Sequence, residues 1–135
     1  MKRLTASALA GAMAVVGCAS QHKVEVRPLH AAAGTSAVVS QQLEQGNQLF
    51  AQQDWAGAQQ VYLATIQADQ TLAEAHYNLA LTLERLGGKA EARKHYVAAA
   101  NLAPGNKVIW DAPPLRKYDR EIGLDRKSWM DANPK

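Results

Sequence analysis

Cys18 is the only cysteine in the chain, and its thiol is the most reactive group on offer. Alone it forms neither an internal disulfide nor a cysteine-based zinc site. No constellation of His and Asn accompanies it, as a cysteine nucleophile would require. His76 and His95, with Glu74 and Glu91 close by in sequence, bring imidazoles and carboxylates together. A metal needs three or four converging ligands, and this spacing supplies no such set. Gly87-Gly88-Lys89 lacks the spacing and the preceding strand of a phosphate loop. Nucleophile elbows and paired catalytic carboxylates are also missing. The sequence therefore predicts no catalytic residue, no metal site and no cofactor, and His76 is expected to pack at a helix interface.

The neighbours of Cys18 direct its chemistry elsewhere. Lys2 and Arg3 precede an uncharged run from Leu4 to Val16, and Val15-Val16-Gly17 leads straight into the cysteine. A helix of that length reaches roughly 20 Å, short of the ~30 Å hydrocarbon core, so it reads as a signal peptide over residues 1–17. The leader resembles the lipobox segment of bacterial lipoproteins. That resemblance implies diacylglycerol on Cys18, cleavage after Gly17 and acylation of the new amino terminus. Several acyl chains together give durable membrane anchoring, each buried methylene contributing about 0.8 kcal/mol. Ala19 stands where the family's inner-membrane retention signal is usually aspartate, which favours the outer membrane with the domain facing the periplasm.

The elements behind this anchor are helical in composition. Among 135 residues, hydrophobic types make up 47% and aromatics only 6%, so small apolar side chains dominate. The net charge of +3 is too small for a nucleic-acid-binding face, and no nucleic-acid partner is expected. Residues 18–37, with Pro28 and Gly34, show no helical periodicity and read as a lipidated amino terminus and flexible linker. Within it Lys23-Val24-Glu25-Val26-Arg27 alternates as a short edge strand would, although disorder is the expectation.

From Val39 the chain repeats at an offset of 34 residues. Leu49 pairs with Leu83, Ala56 with Ala90, Ala58 with Ala92, Tyr62 with Tyr96 and Ala64 with Ala98. Period and positions look like the tetratricopeptide repeat, with copies at 39–72 and 73–106. The expected fold is all-α: two stacked helix-turn-helix hairpins, a short α-solenoid. Gly46 and Ala80 allow close helix approach, and Gly87 or Gly88 suits a left-handed helix end. Two repeats leave an apolar face uncovered, so residues 107–135 are expected to supply a capping helix over Trp110 to Ile122 and a tail. Trp129-Met130 offers a last apolar contact.

The resemblance places a concave groove on the first helices of the pairs. Its expected lining is Leu43, Asn47, Phe50, Tyr77, Leu81, Glu84 and Arg85, suited to a short helix or an extended peptide. Leu43 and Leu81 equally suit a core between repeats, whereas Phe50 and Tyr77 favour the groove. Some relatives grip a peptide's terminal carboxylate with a basic residue one turn before an asparagine, plus a second asparagine in the next repeat. Asn47 and Asn78 are in place, but Leu43 occupies the basic position, so that clamp is not expected. Arg116, Lys117 and Arg120 in the tail form a basic cluster for peptidoglycan contact or, in the plainer reading, a solvated helix face.

Anchor and architecture together are similar to small repeat lipoproteins of pilus and secretion systems. They imply an adaptor with a protein or peptide partner in the cell envelope, attached to the bilayer through Cys18. Two alternatives are a structural tether between outer membrane and peptidoglycan, and a targeting subunit of an envelope hydrolase.

Overall fold

The computed structural model describes residues 26–122, with side chains through Lys117. The leader, Cys18, Gly123 and Trp129-Met130 lie outside the described residues. Six helices follow one another: α1 (Ala37–Ala51), α2 (Trp55–Ala68), α3 (Ala73–Arg85), α4 (Lys89–Leu102), α5 (Lys107–Trp110) and α6 (Pro113–Ile122). No strand occurs among the described residues. α1 packs on α2 and α3 on α4 as antiparallel hairpins, α2 packs on α3, and α5 and α6 lie against α4. This is the expected all-α stack of two hairpins, but the cap, expected as one helix over Trp110 to Ile122, is two helices, α5 and α6, parted at Asp111-Ala112.

Local chemistry sets the helix starts. Ser36 accepts from the Val39 amide at 3.4 Å, Asp54 from that of Gly57 at 3.0 Å, and Asn106 from that of Val108 at 3.0 Å. Each satisfies a backbone donor that the first helical turn leaves without a partner. The two hairpin turns sit one repeat apart and need the same backbone. Gly87 has φ 85°, and its counterpart Gln53 is held at φ 63°. A side chain in that left-handed region costs roughly 1–2 kcal/mol, so the first copy carries a strain that the second avoids.

Tyr62 and Tyr96 are completely buried, as are Ala58 and Ala92 beside them. A Cβ on Gly46 would lie 2.5 Å from Tyr62 Cε1, so the phenol occupies the space a side chain would take. In the second copy Ala80 fills that position, and the tyrosine reaches a different partner. Tyr62 donates to Asn47 Oδ1 at 2.8 Å, whereas Tyr96 donates to Glu84 Oε2 at 3.0 Å. The glycine thus admits the ring that positions Asn47.

At the other end, Ile109, Trp110, Ala112 and Leu115 are buried, and Trp110 Nε1 donates to the Ala103 carbonyl at 3.2 Å. The cap holds through these contacts. α6 begins at Pro113, where a missing amide costs the first turn nothing.

The amino-terminal end departs from expectation. Residues 26–36, assigned above to a flexible linker, lie against the helices. Val26, Leu29 and Ala31 are half-buried on the core. A turn at Ala32–Thr35, with Gly34 at φ 94° and the Thr35 amide bonded to the Ala32 carbonyl at 3.2 Å, folds this strap back along α1. The linker is therefore corrected over its second half: main-chain contacts with distant side chains order it, and local periodicity carries no trace of them.

Gly46→Ala is expected to lower unfolding free energy by about 1–3 kcal/mol through overpacking of Tyr62. Gly105→Ala, where a Cβ meets nothing within 4 Å, should leave stability unchanged. Gln53→Gly should raise stability by roughly 1 kcal/mol by relieving the left-handed side chain. Urea unfolding followed by circular dichroism checks all three.

Candidate functional site: a main-chain clamp in the groove

α1 and α3 are the first helices of the two hairpins, and the strap runs between them. Asn78 on α3 is completely buried and grips one residue at both main-chain groups. The Leu29 amide donates to Asn78 Oδ1 at 2.7 Å, and Asn78 Nδ2 donates to the Leu29 carbonyl at 2.8 Å. Asn47 on α1 donates from Nδ2 to the same carbonyl at 3.1 Å. The two asparagines are themselves joined, Asn78 Nδ2 to Asn47 Oδ1 at 2.9 Å. Tyr62 completes the chain by donating to that same oxygen, and burial raises its phenol well above the ordinary value, with Glu44 adding to the shift.

Such an arrangement reads a peptide group and not a side chain. One amide side chain offers a donor and an acceptor in a plane, matching the carbonyl and N–H of one extended residue. Glu44 adds the first side-chain contact: its Oε2 meets His30 Nδ1 at 2.9 Å and accepts from Asn47 Nδ2 at 3.3 Å.

Past Leu29 the groove widens into a cleft of about 410 Å³ between strap and helices, bounded by Val26, Pro28, Phe50, Trp55 and Arg85 among others. Phe50 and Trp55 meet edge to face with ring centroids 4.8 Å apart. The Arg85 guanidinium lies 5.7 Å from the Phe50 centroid and 5.4 Å from that of Trp55. The cation is thus held over two aromatic rings at the cleft's mouth.

The expected groove residues separate into distinct roles. Asn47 and Arg85 face the strap and cleft, and Phe50, although 8% exposed, forms the cleft wall. Leu43, Tyr77 and Leu81 are buried in the core cluster on which the strap rests. Tyr77 stacks edge to face on Tyr96 with centroids 5.7 Å apart, and burial with nearby Glu84 pushes its phenol up to about 12. Glu84 serves as acceptor for Tyr96. Asn78 and Trp55 belong to the site and were absent from the expected lining. The sequence signal for Asn78 was its pairing with Asn47, set aside because Leu43 precludes a carboxylate clamp. Cys18 lies outside the described residues. In the tail, Arg116 pairs with Asp111 at 3.7 Å on an exposed face, and the Arg120 side chain is outside the described set.

The histidines form a second cluster, on the α3–α4 hairpin. His76 Nδ1 and His95 Nδ1 are 3.0 Å apart, the rings stack at 5.3 Å, and His76 Nε2 meets the Gln70 carbonyl at 3.3 Å. Burial holds both imidazoles below their usual value, and the neighbouring ring adds to the effect at His95. Among the described residues, no group of three His, Cys, Asp or Glu could hold a metal. No described helix is long and apolar enough to cross a membrane.

Stacked helical hairpins with a main-chain-reading groove define a class of α-solenoid interaction module. A profile described as TPR repeat matches residues 46–87, and one described as tetratricopeptide repeat matches 73–106. Together with the fold, these matches make residues 46–106 a tetratricopeptide-repeat domain. No curated protein and no solved structure matches the chain significantly.

Asn78→Ala should cost about 1–3 kcal/mol through lost bonds to a buried group, and should speed amide exchange at Leu29 well beyond that at α3 amides. A separate test concerns pH. Each histidine binds its proton less readily folded than unfolded, so stability is full above the unfolded value near 6.5. It falls as pH drops through that value and levels off once the depressed folded values are passed. Thermal unfolding between pH 8 and pH 4 should show this loss, and His76→Gln should flatten it.

Proposed function

We propose that this protein is a non-catalytic adaptor, anchored by lipid at Cys18 to the bacterial outer membrane and facing the periplasm. There it holds an extended segment of a partner during assembly of a pilus or a secretion machine. The observation that carries the reading is the Asn47–Asn78 clamp closed on a peptide main chain. A surface built for catalysis would converge titratable side chains, whereas this one converges two side-chain amides on a backbone. Tetratricopeptide repeats are interaction modules, which agrees with that geometry. The leader and Cys18 support the anchor, and a tether of lipid and chain keeps such an adaptor where envelope machines assemble.

Radiolabelled palmitate in bacteria expressing the full chain tests the anchor. Label is expected on the wild type and is lost, along with membrane fractionation, in Cys18→Ser. Label retained in Cys18→Ser would refute lipidation at that thiol. Cross-linking in intact cells tests the adaptor role. A defined component of a pilus or secretion assembly should be captured by the wild type and lost in Asn47→Ala with Asn78→Ala. Capture that survives both substitutions would remove the groove from the partner site, and an envelope hydrolase as the captured protein would favour the targeting role.

A further inference from the structure

The groove is already filled by part of the same chain. We propose that the strap, Val26–Ala31, is a displaceable internal occupant that competes with the partner. The partner's segment would then share the strap's chemistry: extended, with two apolar residues three apart and a side chain that donates a hydrogen bond directly after the second. This rests on the adaptor reading above and adds what the groove selects and what blocks it.

Each part follows from a contact. Asn78 and Asn47 hold only the main chain of Leu29, so any extended residue with a free N–H satisfies them. Asn78 is completely buried, and an empty groove would leave its amide to be satisfied by something else. The groove therefore favours a peptide occupant over a flat apolar surface. Val26 and Leu29 rest on the core, which sets apolar residues three apart. His30 on Glu44 sets a side-chain hydrogen-bond donor at the next position. A proline, such as Pro28, is tolerated before the gripped residue, whose own amide remains available.

The strap is also held loosely enough to leave. Val26, Leu29 and Ala31 are only half-buried, the His30–Glu44 pair is exposed, and no ladder of strand bonds ties the segment to a neighbour. Proximity reinforces the three hydrogen bonds at Leu29, because the short turn at Ala32–Thr35 links the strap directly to α1. Such a link gives an effective concentration in the millimolar range, which a separate segment with identical contacts must overcome. Weakening the strap raises the fraction of competent groove and so tightens partner binding.

The test uses the full chain in mild detergent and a fluorescent peptide of residues 24–33. The peptide should bind Leu29→Asp about tenfold or more tightly than it binds the wild type. Adding Asn78→Ala should abolish that binding. Circular dichroism reports whether Leu29→Asp keeps its helices, and Leu29→Ser serves in its place if it does not. A measurement without substitution uses the labelled wild-type chain, in which saturating peptide should remove exchange protection from the Leu29 amide and leave α3 protected. Equal affinity for wild type and strap variant, or a Leu29 amide still protected at saturation, overturns the internal competitor while leaving the groove as a partner site. Failure of the peptide to bind any variant overturns both. A concentration-dependent dimer in light scattering that retains Leu29 protection would assign the strap to a second copy and overturn the proposal.

Discussion

One phenol seated on one glycine orders the groove of this protein. Tyr62 occupies the space above Gly46, and its hydroxyl fixes the oxygen of Asn47. That oxygen also receives the Asn78 amide, so the orientation of both clamp residues descends from a single buried ring. Side-chain amides otherwise present donor and acceptor interchangeably to their surroundings. Here the hydroxyl donates to one end of Asn47 and thereby turns its nitrogen toward the groove. The second copy has Ala80 in place of the glycine, and its tyrosine serves Glu84. Leu81 and Glu84 stand where the first copy has Asn47 and Phe50, so the second copy offers its tyrosine a carboxylate one turn further along in place of the clamp amide.

Much of the fold was legible because its causes are local or periodic. A 34-residue offset pairing Tyr62 with Tyr96 and Ala58 with Ala92 requires the two hairpins to pack alike, and they do. The face that two repeats leave uncovered pointed to a helical cap after the second copy, where α5 and α6 lie. Gln53 gave no such signal: its left-handed backbone follows from the turn that Gly87 makes in the other copy, while its own side chain argues against it. The strap was illegible for a different reason. Leu29 and Asn78 are 49 residues apart, and an asparagine that binds main chain leaves no mark on the residues it binds.

The site was legible by half. Asn47, Phe50 and Arg85 were expected at the groove, and they border it. Leu43 and Leu81 were equally compatible with groove and core, because a solenoid of two hairpins has little interior distinct from its concave face, and Tyr77, expected toward the groove, is buried in the core against Tyr96 instead. Asn78 was passed over through a chemical assumption, that two asparagines matter only beside a cation that binds a carboxylate terminus. The geometry removes that assumption, since amides alone suffice for an internal peptide group. Trp55 was not among the expected lining residues, and its contact with Phe50 depends on the shape of the turn between α1 and α2.

The docked strap also sets a distance. An extended chain spans at most about 3.6 Å per residue, so under the anchor proposed at Cys18 the segment up to Val26 would allow a leash of at most about 29 Å. With the strap freed as far as Ala37, that leash lengthens to about 68 Å. If both proposals hold, occupancy of the groove and reach from the bilayer would be two readings of one equilibrium, and cargo capture would let the domain swing outward from the lipid surface.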